Sequence, residues 1–286
     1  VTNWGDGGVT TDDYVATLNL TNYTVSGSIS VVEGPERIVE NNGKLYVAHQ
    51  GGYGYGNTIS VINSTSNTVT NTINVGDVPN SLQIENGSLY VICGGKASWT
   101  NDETLGKLVK INLDTETVST SIDFAVGNHP SNLYIADNSI FYTQDSDVFK
   151  MSLTASSLPT TSLFSTVGQG VYGIYSFAVE NNKIYVGDAA DYNSNGKVYI
   201  YSKTGTLDNQ FTVGVIAAGF YFNYILKFLD KKGFKFSIEA FFLIHVWKFF
   251  QIHSFFNSVK IFRICNMFKN LSIIISCKSS VYVDII

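Results

Sequence analysis

Pro35-Glu36-Arg37-Ile38-Val39-Glu40-Asn41-Asn42-Gly43-Lys44-Leu45-Tyr46-Val47-Ala48-His49 reads as two β-strands joined by a tight turn. Apolar and polar residues alternate at period two and β-branched residues dominate, as in half-buried strands, while Asn41-Asn42-Gly43 supplies hairpin turn residues. A Gly/Tyr loop from Gly51 to Gly56 leads into a third strand, Ile59-Ser60-Val61-Ile62-Asn63. A Ser/Thr/Asn turn follows, and Val69 to Val75 closes a four-stranded unit. Its second strand recurs as Leu89-Tyr90-Val91, Ile140-Phe141-Tyr142 and Ile184-Tyr185-Val186, at successive spacings of 44, 51 and 44 residues. That period is the length of a propeller blade, a small sheet that covers its two faces only by stacking on its neighbours.

Further units begin at Pro79, with the turn Glu85-Asn86-Gly87 and the third strand Leu108 to Asn112, at Pro130, and near Ile174. Val148 to Met151 and Val198 to Tyr201 are the third strands of the last two. Val1-Thr2-Asn3 reads as the end of a second strand, with Val15 to Leu20 and Ser28 to Val31 as third and fourth. The chain is therefore expected to begin in mid-blade, as a fragment. At the other end, Val213 to Asn223 lines up with Val75 to Ile84, which puts Phe220 to Phe222 in the place of an innermost strand. Such a strand is expected to complete the first blade and close the ring, removing exposed edges.

Composition changes after Asn223. Residues 1–223 hold 9 Lys/Arg and 20 Asp/Glu, a net charge of −11, whereas residues 224–286 hold 9 and 3, a net of +6. The tail carries 11 of the 19 Phe residues and a single Gly. The rest is mostly Ile, Lys, Asn and Ser, residues favoured by A+T-rich codons, so the expectation for 224–286 is a non-propeller tail of read-through or frameshifted sequence. Its best apolar stretch, Phe241 to Phe256, holds His245, Lys248 and His253 and is too short and polar for a membrane span. The acidic repeat region argues against nucleic acid, which needs a basic footprint. Of three cysteines, Cys265 and Cys277 lie in the tail, and Cys93 reads as a small buried hydrophobe.

The run Ile184-Tyr185-Val186-Gly187-Asp188-Ala189-Ala190-Asp191-Tyr192-Asn193-Ser194-Asn195-Gly196-Lys197-Val198-Tyr199-Ile200-Tyr201, followed by Phe220-Tyr221-Phe222-Asn223, resembles the C-terminal blade of the YncE-like surface propellers of Bacteroidetes, the group carrying the DUF5074 domain. Val47-Ala48-His49 with its Gly-rich loop, and the openings Gly76-Asp77-Val78-Pro79-Asn80-Ser81 and Gly127-Asn128-His129-Pro130-Ser131-Asn132, are similar to the same family. The resemblance covers 1–223. It implies an all-β propeller, here about five blade equivalents of a seven-bladed ring. It also implies an exported protein of the cell surface or periplasm, beside a TonB-dependent outer-membrane transporter, and in one branch capture of corrinoids such as vitamin B12.

Blade geometry says where a ligand would sit. The loop joining strands two and three and the connection from one blade to the next emerge at the same end of the sheets, around the central channel. There the chain places Trp4, Arg37, His49, Tyr53, Tyr55, Trp99, His129, Tyr172 and Tyr192 as candidate ligand-binding residues. Aromatic and Arg side chains anchor binding surfaces because they bury large area with little loss of rotamer freedom. A flat, amide-decorated macrocycle or a glycan suits such a surface.

Catalytic signatures are thin. No nucleophile elbow, zinc-protease pair or phosphate loop occurs, and His49 and His129 occupy different positions within their units. The carboxylate pairs Asp12-Asp13 and Asp102-Glu103 read as solvated loop charges. Asp191-Tyr192-Asn193-Ser194-Asn195-Gly196 fits the opening of a calcium loop, but Ser202 stands where an acidic residue would complete it. An Asx-stabilised turn is the expectation there, with no cofactor. The function expected is recognition of a small molecule or glycan without chemistry. Two alternatives are an enzyme like the quinoprotein or lactonase propellers and a structural surface-layer or adhesion protein, and fold alone does not choose among them.

Overall fold

Four hairpin turns carry the regular part of the fold, and each is a two-residue turn with both residues left-handed. They are Asn42-Gly43 (φ 51° and 78°), Asn86-Gly87 (47° and 70°), Asp137-Asn138 (47° and 54°) and Asn181-Asn182 (50° and 62°). This backbone matches the twist of the flanking strands, and Asn, Asp and Gly tolerate it best. The computed structural model describes residues 1–6, 8–52, 54–229, 235–239 and 274–285.

The strands form successive antiparallel sheets. The first sheet is β1 (Thr2–Asn3), β2 (Tyr14–Asn19) and β3 (Thr24–Ser30). The second is β4 (Pro35–Asn41), β5 (Lys44–His49), β6 (Thr58–Asn63) and β7 (Thr68–Asn74), and the third is β8 (Pro79–Glu85), β9 (Ser88–Cys93), β10 (Lys107–Asn112) and β11 (Thr117–Asp123). The fourth is β12 (Ser131–Ala136), β13 (Ser139–Gln144), β14 (Asp147–Ser152) and β15 (Phe164–Ser165). The fifth is β16 (Ser176–Glu180), β17 (Lys183–Asp188), β18 (Asn195–Ser202) and β19 (Leu207–Val215). Each runs in chain order, and the first strands of the second to fifth sheets, β4, β8, β12 and β16, touch in succession. This is the blade arrangement of a β-propeller.

Alternation decides which neighbour each side chain meets. On β9, Leu89, Val91 and Cys93 pack with Tyr46, Ala48 and Ile59 of the second sheet. Tyr90 and Ile92 between them pack with Leu133, Ile135, Ile140 and Tyr142 of the fourth. A one-residue slip would exchange the two sets, so burial on both faces fixes the register. Leu89 is fully buried, and truncating such a residue to Ala costs about 2–5 kcal/mol.

Polar side chains tie the inner strands together. Asn80 Nδ2 donates to the Pro130 carbonyl (2.9 Å) and Asn132 Nδ2 to that of Ile174 (3.0 Å). Gln83 spans β8 to β12 as a backbone unit would: its Nε2 donates to the Ile135 carbonyl (3.0 Å) and its Oε1 accepts from the Ile135 amide (2.7 Å).

Two features depart from the sequence pattern. The last strand of the fourth sheet shrinks to the two residues Phe164–Ser165, because the Ser/Thr-rich run before it, broken by Pro159, has no alternating pattern to pair. Phe220 to Phe222 lie in β20 (Ala217–Leu229), which pairs with β21 (Lys235–Glu239) and β22 (Ile274–Ile285) in the order β21-β20-β22. Among the described residues the first sheet has three strands. The start of β20 sits beside the inner strand of the fifth sheet, where Ser176 Oγ donates to the buried Ala217 carbonyl (2.6 Å).

The chain divides into two compact units, Val1–Ala218 and Gly219–Ile285. In the second, β20 and β21 pair antiparallel from Ile225↔Glu239 to Leu229↔Lys235. The apolar stretch Phe241 to Phe256, with His245, Lys248 and His253, and Cys265 lie outside the described residues.

Candidate functional site

The loops between second and third strands, together with the connections between sheets, gather at one end of the first unit. Here the connection Asn74 to Asp77 faces the loop before β10 across an open cleft of 550 Å³, lined by Asn57, Asn74, Asp77, Glu103, Thr104 and Lys107, among others. The volume is that of a small-molecule site.

The loop before β10 is held from within. The Lys96 ammonium donates to Asp102 (2.6 Å), its backbone N–H donates to Thr104 Oγ1 (2.9 Å), and its carbonyl accepts the Thr104 N–H (3.0 Å). Hydrogen bonding to Asp102 raises the Lys96 pKa, so the ammonium stays charged. That ammonium lies 5.7 Å from the centroid of the Tyr55 ring, a cation–π contact that draws Tyr55 to the same loop. At the tip, a single turn, Ser98–Thr100, presents Trp99, which is 78% exposed.

His129 closes the other side of this loop. Its Nδ1 is 2.8 Å from the Gly94 carbonyl, and its Nε2 is 3.7 Å from Glu103 Oε1. Glu103 in turn accepts the Gly127 N–H (2.7 Å). Asp102 is the solvated loop charge expected from the sequence, exposed while it pairs with Lys96; for Glu103 the expectation is corrected, since it is half-buried and anchors the connection before β12. Asp13 departs in the same way, since it is buried and accepts the Gly34 N–H (2.6 Å). A buried carboxylate persists where backbone donors replace its water.

The remaining candidates are dispersed. Trp4, 38% exposed, borders a shallow recess with Asp13 and Glu33. Arg37 is exposed on β4. Tyr172 is exposed, and Tyr192 packs edge-on against Tyr175, with centroids 5.8 Å apart. Tyr53 lies outside the described residues.

His49 is withdrawn from the surface altogether. It is the last residue of β5, fully buried, with Nε2 2.8 Å from Ser60 Oγ. Its Nδ1 is buried and makes no hydrogen bond. Placing it among ligand-binding residues is corrected on this ground: β5 lies between two neighbouring sheets, so both of its faces are covered.

The Asp191 loop folds as an Asx turn. Asp191 Oδ1 accepts the Asn193 and Ser194 amides (3.0 and 2.6 Å), and Oδ2 accepts the Ser194 hydroxyl (3.0 Å). These bonds, the Ser194 amide foremost, lower the Asp191 pKa. Cys93 is buried, and desolvation pushes its thiol up to about 12, which removes the thiolate needed for reactivity. Among the described residues no group of three or more His, Cys, Asp or Glu is placed to hold a metal ion.

Among the described residues none of the nine candidates lines the cleft itself, which the sequence reading did not anticipate; Tyr55 and Trp99 sit on the loops that lead into its walls. Asn57, Asn74 and Lys107 carry no motif, Asp77 lies in a blade-opening stretch that does not mark it as a wall residue, and their convergence comes from stacking of the second and third sheets. Tyr175 had a readable signal, lying three residues from Tyr172 in the same connection.

No curated protein matches the chain. Among solved structures it is similar to hydrazine synthase of Kuenenia stuttgartiensis (14% identity, TM-score 0.52, covering 72% of this chain and 61% of that one). It is also similar to a computationally designed protein, Ika8 (10%, TM-score 0.52, 73% and 59%), and to a chain of the mitotic checkpoint complex (12%, TM-score 0.51, 77% and 65%). The chain thus spans 59–65% of the length of these structures, and at such identities the likeness shows the fold alone. At the sequence level, residues 1–222 match the model of a domain of unknown function, DUF5074, and the chain belongs to that family.

Proposed function

We propose that this protein is a non-enzymatic binding protein, exported to the cell surface or periplasm, that captures a small molecule on the loop face of its sheets. The observation that carries the reading is the 550 Å³ cleft between the second and third sheets, flanked by loops bearing Tyr55 and Trp99. Its lining mixes carboxamides, carboxylates, a hydroxyl and an ammonium, while the loops leading into it carry two exposed rings, Tyr55 and Trp99, that offer stacking area. A flat molecule with a rim of amides suits both, because its amides satisfy the polar wall and its plane covers the rings.

A corrinoid has that shape and rim. Delivery to a TonB-dependent transporter is the partnership this reading implies. Loops already tied by Lys96–Asp102, Glu103–Gly127 and His129–Gly94 would lose little freedom on binding, which favours affinity.

Fluorescence of the full chain during titration with cyanocobalamin tests the proposal. Saturable quenching with a defined stoichiometry is expected. A purely linear decrease, as from absorption of light by the corrinoid, would remove the corrinoid and direct the search to glycans.

A further inference from the structure

The opposite ends of the sheets hold a second recess, of 470 Å³, between the hairpin turns of the fourth and fifth sheets. Its lining includes Tyr134, Asp137, Glu180, Asn181, Asn182 and Lys203. The two turns, Asp137-Asn138 and Asn181-Asn182, have fixed left-handed backbones, and each sets a carboxylate or carboxamide at the rim. Lys203 enters from the turn after β18 and forms an ion pair with Asp137.

That pairing leaves the charges unequal. Among the described residues Glu180 forms no ion pair, because Lys183, opposite it across the hairpin, is paired with Asp208, and Asn181 N–H donates to the Glu180 Oε1 (3.2 Å). Its field reaches the neighbouring phenols: burial first, and then Glu180, raises the pKa of both Tyr134 and Tyr185. The recess therefore carries one net negative charge. Around it stand groups that donate, such as Tyr134 and the Asn182 amide, and groups that accept, such as the Asp137 carboxylate.

We propose that this recess binds a small hydroxylated ammonium compound, an amino sugar of the size of glucosamine. The ammonium would pair with Glu180 in a charge-assisted hydrogen bond. Hydroxyls both donate and accept, so they suit a wall where carboxylate, carboxamide and phenol alternate. The site is separate from the loop-face cleft and does not depend on it.

Calorimetry of the full chain with glucosamine at about pH 6, where the amine is protonated, tests this, with glucose and N-acetylglucosamine as uncharged comparators. Glucosamine is expected to bind at least about tenfold more tightly than either. Glu180→Gln should weaken it about tenfold or more, and Lys203→Met, which frees Asp137, should strengthen it. These opposite signs distinguish a site effect from loss of fold. Trp99→Ala should leave glucosamine binding unchanged. Absence of glucosamine binding to the wild-type chain, equal binding of glucose, or insensitivity to Glu180→Gln would overturn the proposal.

Discussion

Val78 and Ile216 occupy the same backbone position in two different repeats, and both are left-handed, with φ of 58° and 56°. One precedes Pro79, which opens β8, and the other precedes Ala217, which opens β20. A β-branched residue rarely adopts this conformation, since its Cβ crowds the carbonyl. At Val78 the geometry is held from both sides: its N–H donates to the Gly56 carbonyl and its own carbonyl accepts the Gly94 amide, each at 2.8 Å. The demands of the repeat thus override the preference of the side chain.

Val78→Gly should relieve that strain. Removing a β-branched side chain from a left-handed residue recovers about 1–2 kcal/mol, part of which is offset by the freer unfolded chain and the lost half-buried methyls. The expected net gain is about 0.5–1 kcal/mol, or a rise of about 2 °C in thermal midpoint. A lower midpoint by calorimetry would show that the position is unstrained.

Gln83→Leu should be destabilising despite the greater hydrophobicity of leucine. The Gln83 carboxamide satisfies both the N–H and the carbonyl of Ile135. Leaving these two groups without partners costs about 1–3 kcal/mol each. Urea unfolding of the variant should show a loss of more than about 2 kcal/mol, and a loss within error would mean that water replaces the bridge.

The Asn/Gly hairpins and their flanking strands were legible because a two-residue left-handed turn needs particular residues and a strand shows its faces at period two. The anchoring roles of Asp13 and Glu103 were not. Their partners are the backbone amides of Gly34 and Gly127, and a backbone amide has no sequence signature. His49 was misplaced for a related reason: when both faces of a strand are buried, alternation no longer separates inside from outside. Phe220 to Phe222 read correctly as a strand that follows the fifth sheet, but pairing of β20 with β21 and β22 depends on distant residues. The loop aromatics were visible one by one. The cleft between the second and third sheets exists only once those sheets stack.

His49 should make stability fall with acid. Burial holds its pKa down to about 4 from 6.5, with the nearby backbone of Val32 and Glu33 opposing. Between those values the unfolded chain binds the extra proton, so this contribution is complete above about pH 6.5 and is lost as pH falls toward about 4. The full effect is about 3 kcal/mol. In His49→Gln the decline between pH 7 and pH 4 should be shallower by about that amount in urea unfolding. Parallel curves for the two proteins would mean that the ring takes up its proton without cost.

The most direct test of the loop-face site is calorimetric titration of the full chain and of the double variant Tyr55→Ala/Trp99→Ala with cyanocobalamin. The account predicts one-to-one binding to the wild-type chain and a loss of more than about 1 kcal/mol, at least fivefold in affinity, in the double variant. Equal affinity for the two proteins would contradict it, and would move the binding surface away from the cleft between the second and third sheets.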